Sequence, residues 1–408
     1  MSETTIIAMG SAGDGVALAP DGARRHIPRA LPGEVLSAEG RLLRESPERV
    51  DPPCPHFSLC GACALQHWSG AAQSEWKRGR VEHALRQAGF AEAIVTLGHV
   101  SPPATRRRAD LSILRAGDGS LTIGFHGAQG VLAIPECRVL RPEIMALLPR
   151  LAAALRPLQA LRQRADAAIN LLDSGPDVLL RLDGKLTPVD IQRLADFARA
   201  EGLKRIATRE GVAAQIGAVR HGFGRGVVAP PPGAFLQATV EGEAAIIAAV
   251  LAALPAKLSR GALIADLFAG LGTLSFPLAE RARVLAYEGD PEAVAALDAA
   301  ARAAGGRVTA GRKDLIRQPL LPLELAKCAV LVLDPPYAGA AEQVAQIARG
   351  PKPHLIYVSC NPVALERDAR ALRDAGYVMT SATAIDQFLW SPHIEAVVGF
   401  APPKKERA

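Results

Sequence analysis

Hydrophobic and polar positions change their rhythm twice along the chain. Residues 1–52 alternate short β-like runs (TTIIAMG, SAGDGVALAPDG, ARRHIPRALPGEVLSAEGRLL) with Gly, Asp and Pro turns, which predicts a small antiparallel barrel. Residues 53–228 are mixed. AAQSEWKRGRVEHALRQA predicts a helix over 71–88 that stops at Gly89, and residues 91–137 read as strands and loops. The Leu, Ala and Arg spacing of 143–166 predicts one long helix, followed by a hairpin (AAINLLDSG, DVLLRLDG), a helix (DIQRLADFARAEG) and a strand (RIATRE). VVAPPPGAFLQ then marks a linker, and residues 229–408 become regular. Apolar runs such as ALIADLFAG, RVLAYEGD, AVLVLDPPY and HLIYVSCNP alternate with helical stretches, and a final strand pair ends in EAVVGFAP. That alternation predicts a doubly wound α/β sheet with helices on both faces.

Two of these apolar runs end abruptly in polar clusters. In parallel α/β sheets ligands gather at the carboxyl ends of strands, so Asp334-Pro335-Pro336 and Ser359-Cys360-Asn361 are expected to face one crevice. Pro335 and Pro336 remove two backbone donors and stop the ladder. Cys360 is thereby offered at a strand end, where a thiol can act as a nucleophile.

Composition narrows the class. The 408 residues, 49% hydrophobic and 22% charged, suit a multidomain globular protein and exclude a disordered or fibrous chain. The start of the chain lacks a signal-peptide pattern and no window is apolar for long enough to span a bilayer, which predicts a cytoplasmic protein. A net charge of +6 favours an anionic partner only mildly. The six cysteines are unevenly spread: Cys54, Cys60 and Cys63 follow a C-x5-C-x2-C spacing, while Cys137, Cys328 and Cys360 are isolated. Three thiols within ten residues in a reducing compartment point to a soft metal centre with a fourth ligand from elsewhere, for which Cys137 is available. Thiolate chemistry alone leaves tetrahedral zinc and an iron–sulfur cluster both open.

The first strand of the last region carries Asp266 into a turn with Gly270 and Gly272, and Glu288 ends the second strand 22 residues later. The glycines allow close approach of a ligand, and an acid at the second strand suits a ribose diol. The third glycine of the dinucleotide fingerprint is absent. A carboxylate at Asp266 would repel a pyrophosphate and attract a sulfonium cation, which favours S-adenosylmethionine over NAD.

On these residues the chain resembles the bacterial RNA 5-methyluridine methyltransferase family, in particular its iron–sulfur ribosomal RNA members. The resemblance spans nearly the whole chain through C-x5-C-x2-C with a distant Cys, DLFAGLGTLSFPLA, YEGD, LDPPYAGA, VSCNPVALERDARAL and the terminal PHIE. It implies a short TRAM/OB-like barrel, a central α+β domain in which Cys54, Cys60, Cys63 and Cys137 hold a [4Fe-4S] cluster, and a Rossmann-like class I catalytic domain. It also implies that Gln237, Phe268, Thr273, Glu288, Asp314 and Asp334 bind S-adenosylmethionine. The chain departs from the family at Tyr337, where arginine is frequent, at Thr273, where asparagine is frequent, and in its short amino-terminal barrel. The implied reaction is methylation of uridine C5 in RNA, most specifically 23S ribosomal RNA, with no obligate protein partner. A thiolate from Cys360 adds to C6 so that C5 can take the methyl group, and Glu395 then removes the C5 proton. Transfer RNA as substrate, an amino-group methyltransferase acting through DPPY, and a non-enzymatic RNA-binding or redox protein are the alternatives.

Overall fold

The computed structural model describes residues 3–127 and 130–403. The first six strands are β1 (Thr4–Thr5), β2 (Ala8–Met9), β3 (Gly15–Leu18), β4 (Arg24–Ile27), β5 (Val35–Leu36) and β6 (Leu42–Arg44). They pair as two three-stranded antiparallel sheets, β1-β5-β6 and β2-β3-β4, and not as one continuous ladder. Their shared core is small: Ile6, Ala17, Ala30 and Leu36.

The cysteine-rich stretch leads into helix α1 (Gly70–Gln87) and strand β7 (Thr96–Val100). A seven-stranded sheet follows, ordered β10-β9-β8-β11-β12-β13-β14. Its strands are β8 (Arg108–Arg115), β9 (Leu121–Gly127), β10 (Gly130–Ala133), β11 (Arg164–Leu172), β12 (Gly175–Leu182), β13 (Arg205–Thr208) and β14 (Gly211–Gln215). Helices α2 (Pro142–Leu155) and α3 (Pro188–Glu201) supply Ile144, Leu148, Leu151, Leu194 and Ala198 to the core of this sheet. The single long helix expected over 143–166 is shorter. It ends at Leu155 because Pro157 cannot continue it, and Arg164–Asp166 instead begin β11, paired on both sides with β8 and β12.

A hairpin of β15 (His221–Phe223) and β16 (Gly226–Val228) precedes the last region. There the order is α4 (Val240–Ala252), β17 (Leu263–Leu267), α5 (Ser275–Ala279), β18 (Arg283–Glu288), α6 (Pro291–Ala303), β19 (Val308–Arg312), α7 (Pro322–Leu325), β20 (Val330–Leu333), α8 (Ala341–Arg349), β21 (His354–Ser359), α9 (Pro362–Asp374), β22 (Val378–Asp386) and β23 (Glu395–Ala401). The sheet runs β19-β18-β17-β20-β21-β23-β22-β7, with β23 antiparallel to both its neighbours. Alternate residues of its strands feed separate cores. Ile264, Val330, Val332, Ile356 and Val358 meet α4, α5 and α6, while Ala265, Leu331, Leu333, Leu355 and Tyr357 meet α1, α8 and α9. Burial on both faces explains why these strands read as unbroken apolar runs.

A boundary near residue 229 divides the sequence pattern, yet α1 and β7 cross it. β7 pairs in parallel with β22 at the sheet edge, and Val81 and Leu85 of α1 lie in the same core as α9. Both elements precede the central sheet in sequence, so only long-range pairing reveals where they belong. No helix among the described residues is long and apolar enough to cross a membrane.

Candidate active site

The crevice lies at the carboxyl ends of β17, β18, β20 and β21. Strand β17 runs into a turn in which Phe268 adopts a left-handed backbone with φ of 64°, followed by Gly270 at 54° and Gly272 at 90°. A non-glycine residue held there is strained, which is common where backbone must approach a ligand. The glycines have different reasons. A side chain at Gly272 would strike Leu297 at 2.6 Å and Phe276 at 2.8 Å, whereas one at Gly270 would meet open space. Gly272 therefore serves packing, and Gly270 faces the volume a ligand would use.

Glu288 ties this turn to the second strand. Its carboxylate accepts from Gly270 N at 2.9 Å, Gly289 N at 2.7 Å and Asp290 N at 2.9 Å. Of the roughly four lone-pair positions of a carboxylate, these leave about one for a ribose hydroxyl. Asp314, exposed after β19, caps its own loop through Ile316 N and Arg317 N, and its backbone adjoins Gly289. Thr273 is half-buried in the turn that opens α5. Asp266, expected to face the donor, is fully buried: it accepts from Ser275 Oγ of α5 at 2.5 Å and has its other oxygen unpartnered. Burial raises its pKa to about 7. The parity of β17 decides this, because residue 266 shares its face with Ile264 and not with Leu267.

The second half of the crevice is set by β20, β21 and β23. The parallel register Leu333↔Tyr357 brings Asp334 beside the end of β21, and the antiparallel pair Ser359↔Ala396 sets Cys360 opposite Glu395. Cys360 sits just before Asn361, which caps α9 by accepting from Val363 N at 3.0 Å, with Pro362 at the first helical position. A helix start favours a thiolate. Here burial dominates, joined by the carboxyls of Glu395 and Asp334, and Cys360 is pushed up to about 12. Burial likewise raises Glu395 to about 8, with Asp334 adding to the rise, and Asp334 itself to about 7. No cation relieves either carboxyl among the described residues. Three acidic groups thus crowd one place, with no cation against the two carboxyls among the described residues.

Gln237, from the stretch before α4, reaches the same place. Its Oε1 accepts from Gln387 Nε2 at 2.6 Å, leaving its amide N–H groups for a ligand. Gln387 also donates to Glu395 Oε1 at 3.3 Å. Behind Gln237, the buried Arg107 donates to the Gln237 carbonyl at 3.1 Å and pairs with Glu243 at 2.6 Å. Sequence reasoning missed Gln387 and Arg107, and also Lys77, which is wholly buried against Asp386 at 2.6 Å. The signal for Lys77 and Arg107 was a charged residue inside an otherwise apolar period, and their arginine-rich surroundings disguised it.

The six cysteines fall in three places. Cys54, Cys60, Cys63 and Cys137 line one cavity of about 300 Å³, closed on another side by Phe388, Leu389 and His393. All are free thiols. Burial lifts Cys63 to about 11 and raises Cys60, and in both the neighbouring cysteines add to the effect. Among the described residues no three His, Cys, Asp or Glu side chains are grouped so as to hold a single metal ion. Cys328 is buried in the sheet core, away from both groups. Tyr337 is 60% exposed at the crevice mouth, where its carbonyl accepts from Asn361 Nδ2 at 2.9 Å.

A doubly wound sheet with a reversed strand β23, a glycine turn after its first strand and acids at its second and fourth strand ends defines a methyltransferase. The family profile described as tRNA (Uracil-5-)-methyltransferase matches residues 233–401. An uncharacterized RNA methyltransferase of Mesorhizobium japonicum is 41% identical over 99% of this chain and 98% of its own, and one of Caulobacter vibrioides is 39% identical over 97% and 99%. The 23S rRNA (uracil(1939)-C(5))-methyltransferase RlmD of Pectobacterium atrosepticum is 33% identical over 88% of this chain and 82% of its own. The crystal structure of Pyrococcus abyssi tRNA (uracil-54, C5)-methyltransferase with S-adenosyl-L-homocysteine shares the fold, with a TM-score of 0.72 over 98% and 99% of the chains at 19% identity. The chain belongs to the tRNA (uracil-5-)-methyltransferase family and is an S-adenosylmethionine-dependent RNA methyltransferase.

Proposed function

We propose that this protein methylates C5 of a uridine in RNA through a covalent adduct on Cys360, with Glu395 as the base. The observation that carries this reading is the apposition of Cys360 and Glu395 across β21 and β23, beside Asp334, in a pocket without a cation. An amino-group methyltransferase has no use for that thiol.

The empty charge balance fits a sulfonium donor. Its positive charge lowers the cost of ionising Asp334, Glu395 and Cys360 together, so the nucleophile is activated only when the donor is present. Phe268, Thr273, Glu288, Asp314, Asp334 and Gln237 are the residues we assign to the donor, laid along the open side of Gly270. The Cys360 thiolate bonds to C6, and the C5=C6 pair moves toward C5, which attacks the methyl carbon. The sulfonium leaves as neutral S-adenosylhomocysteine. Glu395 then takes the C5 proton, the C–H pair restores C5=C6, and the C6–S pair returns to Cys360. The uridine must leave its stack to enter, which suits an exposed loop of structured RNA.

The substrate we favour is 23S ribosomal RNA, as the activity named for the Pectobacterium relative suggests; the matching family profile makes transfer RNA the second choice. We assign Cys54, Cys60, Cys63 and Cys137 to a [4Fe-4S] cluster, because four thiols lining one cavity are a donor set that such a cluster takes. Such a cluster would supply a cation beside Cys60 and Cys63, the two thiols that burial raises. Nucleoside mass spectrometry of 23S and transfer RNA from cells with and without the protein tests the substrate. Loss of one 5-methyluridine from 23S RNA is expected, and an unchanged content in both RNAs would overturn the reading.

A further inference from the structure

We propose that Gln387 is a positioning residue for the base: it fixes one carboxylate oxygen of Glu395 and so aims the other at C5. This inference rests on the reading of Cys360 and Glu395 given above.

Gln387 lies just past the end of β22 and is 2% exposed. Its side-chain orientation is decided by a group that can only donate. Ala238 N donates to Oε1 at 2.9 Å, so the amide nitrogen must face the other way, where it donates to Gln237 Oε1 at 2.6 Å and Glu395 Oε1 at 3.3 Å. Among the described residues no other group donates to the Glu395 side chain. The amide of Gln387 therefore links the base to Gln237, which lies 150 residues before Gln387 in sequence.

A second observation points the same way. Helix α4 has glycine at position 242 in its first turn, where alanine would favour the helix by about 1 kcal/mol. A side chain there would lie 2.6 Å from Gln387 Cβ and 3.2 Å from its Oε1. The helix leaves out a side chain where Gln387 needs room.

The groups facing this pair come from every neighbouring element. Asp334 and Cys360 stand across the pocket, and the Arg107–Glu243 pair lies behind Gln237. The Lys77–Asp386 pair flanks Gln387 on its own chain, and His393 precedes Glu395 by two residues. Of these, only Gln387 is a neutral donor to the carboxylate. Its hydrogen bond favours the ionised form, which is the form that accepts the C5 proton.

The test compares wild type, Gln387→Met, Gly242→Ala and Glu395→Gln on an RNA transcript carrying the target uridine, with methyl-labelled S-adenosylmethionine. Gln387→Met is expected to form the methylated adduct and release it slowly, giving a labelled protein–RNA band on a denaturing gel and turnover reduced about tenfold at neutral pH. The acid limb of its pH–rate profile should move up by about one unit from the wild-type position near 8, so that rates converge with wild type only at about pH 10 and above. Gly242→Ala should show the same shift in weaker form, and it carries the test if Gln387→Met does not fold. A wild-type pH limb without adduct in the folded variants, with only a lower Tm, means a purely structural role and overturns the proposal. If Glu395→Gln traps adduct in that experiment, the positioning role alone has failed. If Glu395→Gln turns over normally, the base assignment and this proposal fall together.

Discussion

Two settings of thiols differ in what surrounds them. Cys360 faces Glu395 and Asp334 at a strand end, while Cys54, Cys60, Cys63 and Cys137 line one cavity. Burial holds Cys360 in the first, and Cys60 and Cys63 in the second, above the ordinary thiol range. On the reading proposed above, the lone thiol among carboxyls draws on the positive charge of a bound sulfonium donor, whereas the four thiols share a resident metal cluster. The same physical penalty would then describe a catalytic centre in one case and a metal site in the other.

The sharpest way to break this comparison is to remove one thiol from each group. Cys360→Ala should lower methyl transfer by about 10³-fold or more while the protein still binds S-adenosylmethionine, as measured by calorimetry. Near-normal turnover would show that the thiol is a packing residue. Cys63→Ser, purified without air, should lose iron and the broad visible absorption expected of the wild-type protein. Stoichiometric zinc without iron in the wild type would instead assign the cavity to a single ion.

Smaller effects sharpen the electrostatic half. Asp334→Asn should weaken S-adenosylmethionine binding by about thirtyfold, the order expected when one partner of a buried charge pair is removed, and should weaken binding of the uncharged S-adenosylhomocysteine much less. Equal losses for both ligands would mean that Asp334 contributes hydrogen bonds and no charge. The smallest effect is on stability. Glu395 and Asp334 rise from ordinary values of 4.5 and 3.8 to about 8 and about 7. Groups that hold protons more tightly when folded favour the fold at low pH and lose that contribution as pH rises between these limits. Tm should therefore fall between pH 5 and pH 9, and Glu395→Gln should reduce the fall by a few degrees. A steeper fall in the variant would contradict the assigned shift.

The catalytic sheet was legible because its strands are buried on both faces and read as apolar runs, each ending at a polar cluster such as Asp334 or Cys360. The cysteine group was legible from local spacing. What the sequence concealed depends on long-range pairing or strand parity. β7 joins the far edge of a sheet whose other strands begin at residue 263. Asp266 looked like a ligand for the donor, but its parity turns it to Ser275. Gln387 carried no motif, because its role arises only when Gln237 and Glu395 are brought to it. The end of α2 was visible at Pro157 and was overridden by a periodicity that continued past it.

The account stands most directly on the Glu395→Gln variant. The amide keeps the shape of the carboxyl but cannot accept the C5 proton, so addition and methylation should proceed and elimination should stall. Incubated with RNA and methyl-labelled S-adenosylmethionine, the variant should give a labelled protein–RNA band on a denaturing gel, and the band should vanish in the Cys360→Ala, Glu395→Gln double variant. Turnover at the wild-type rate without a trapped adduct would contradict the assignment of Glu395 as the base and, with it, the proposed use of the crevice.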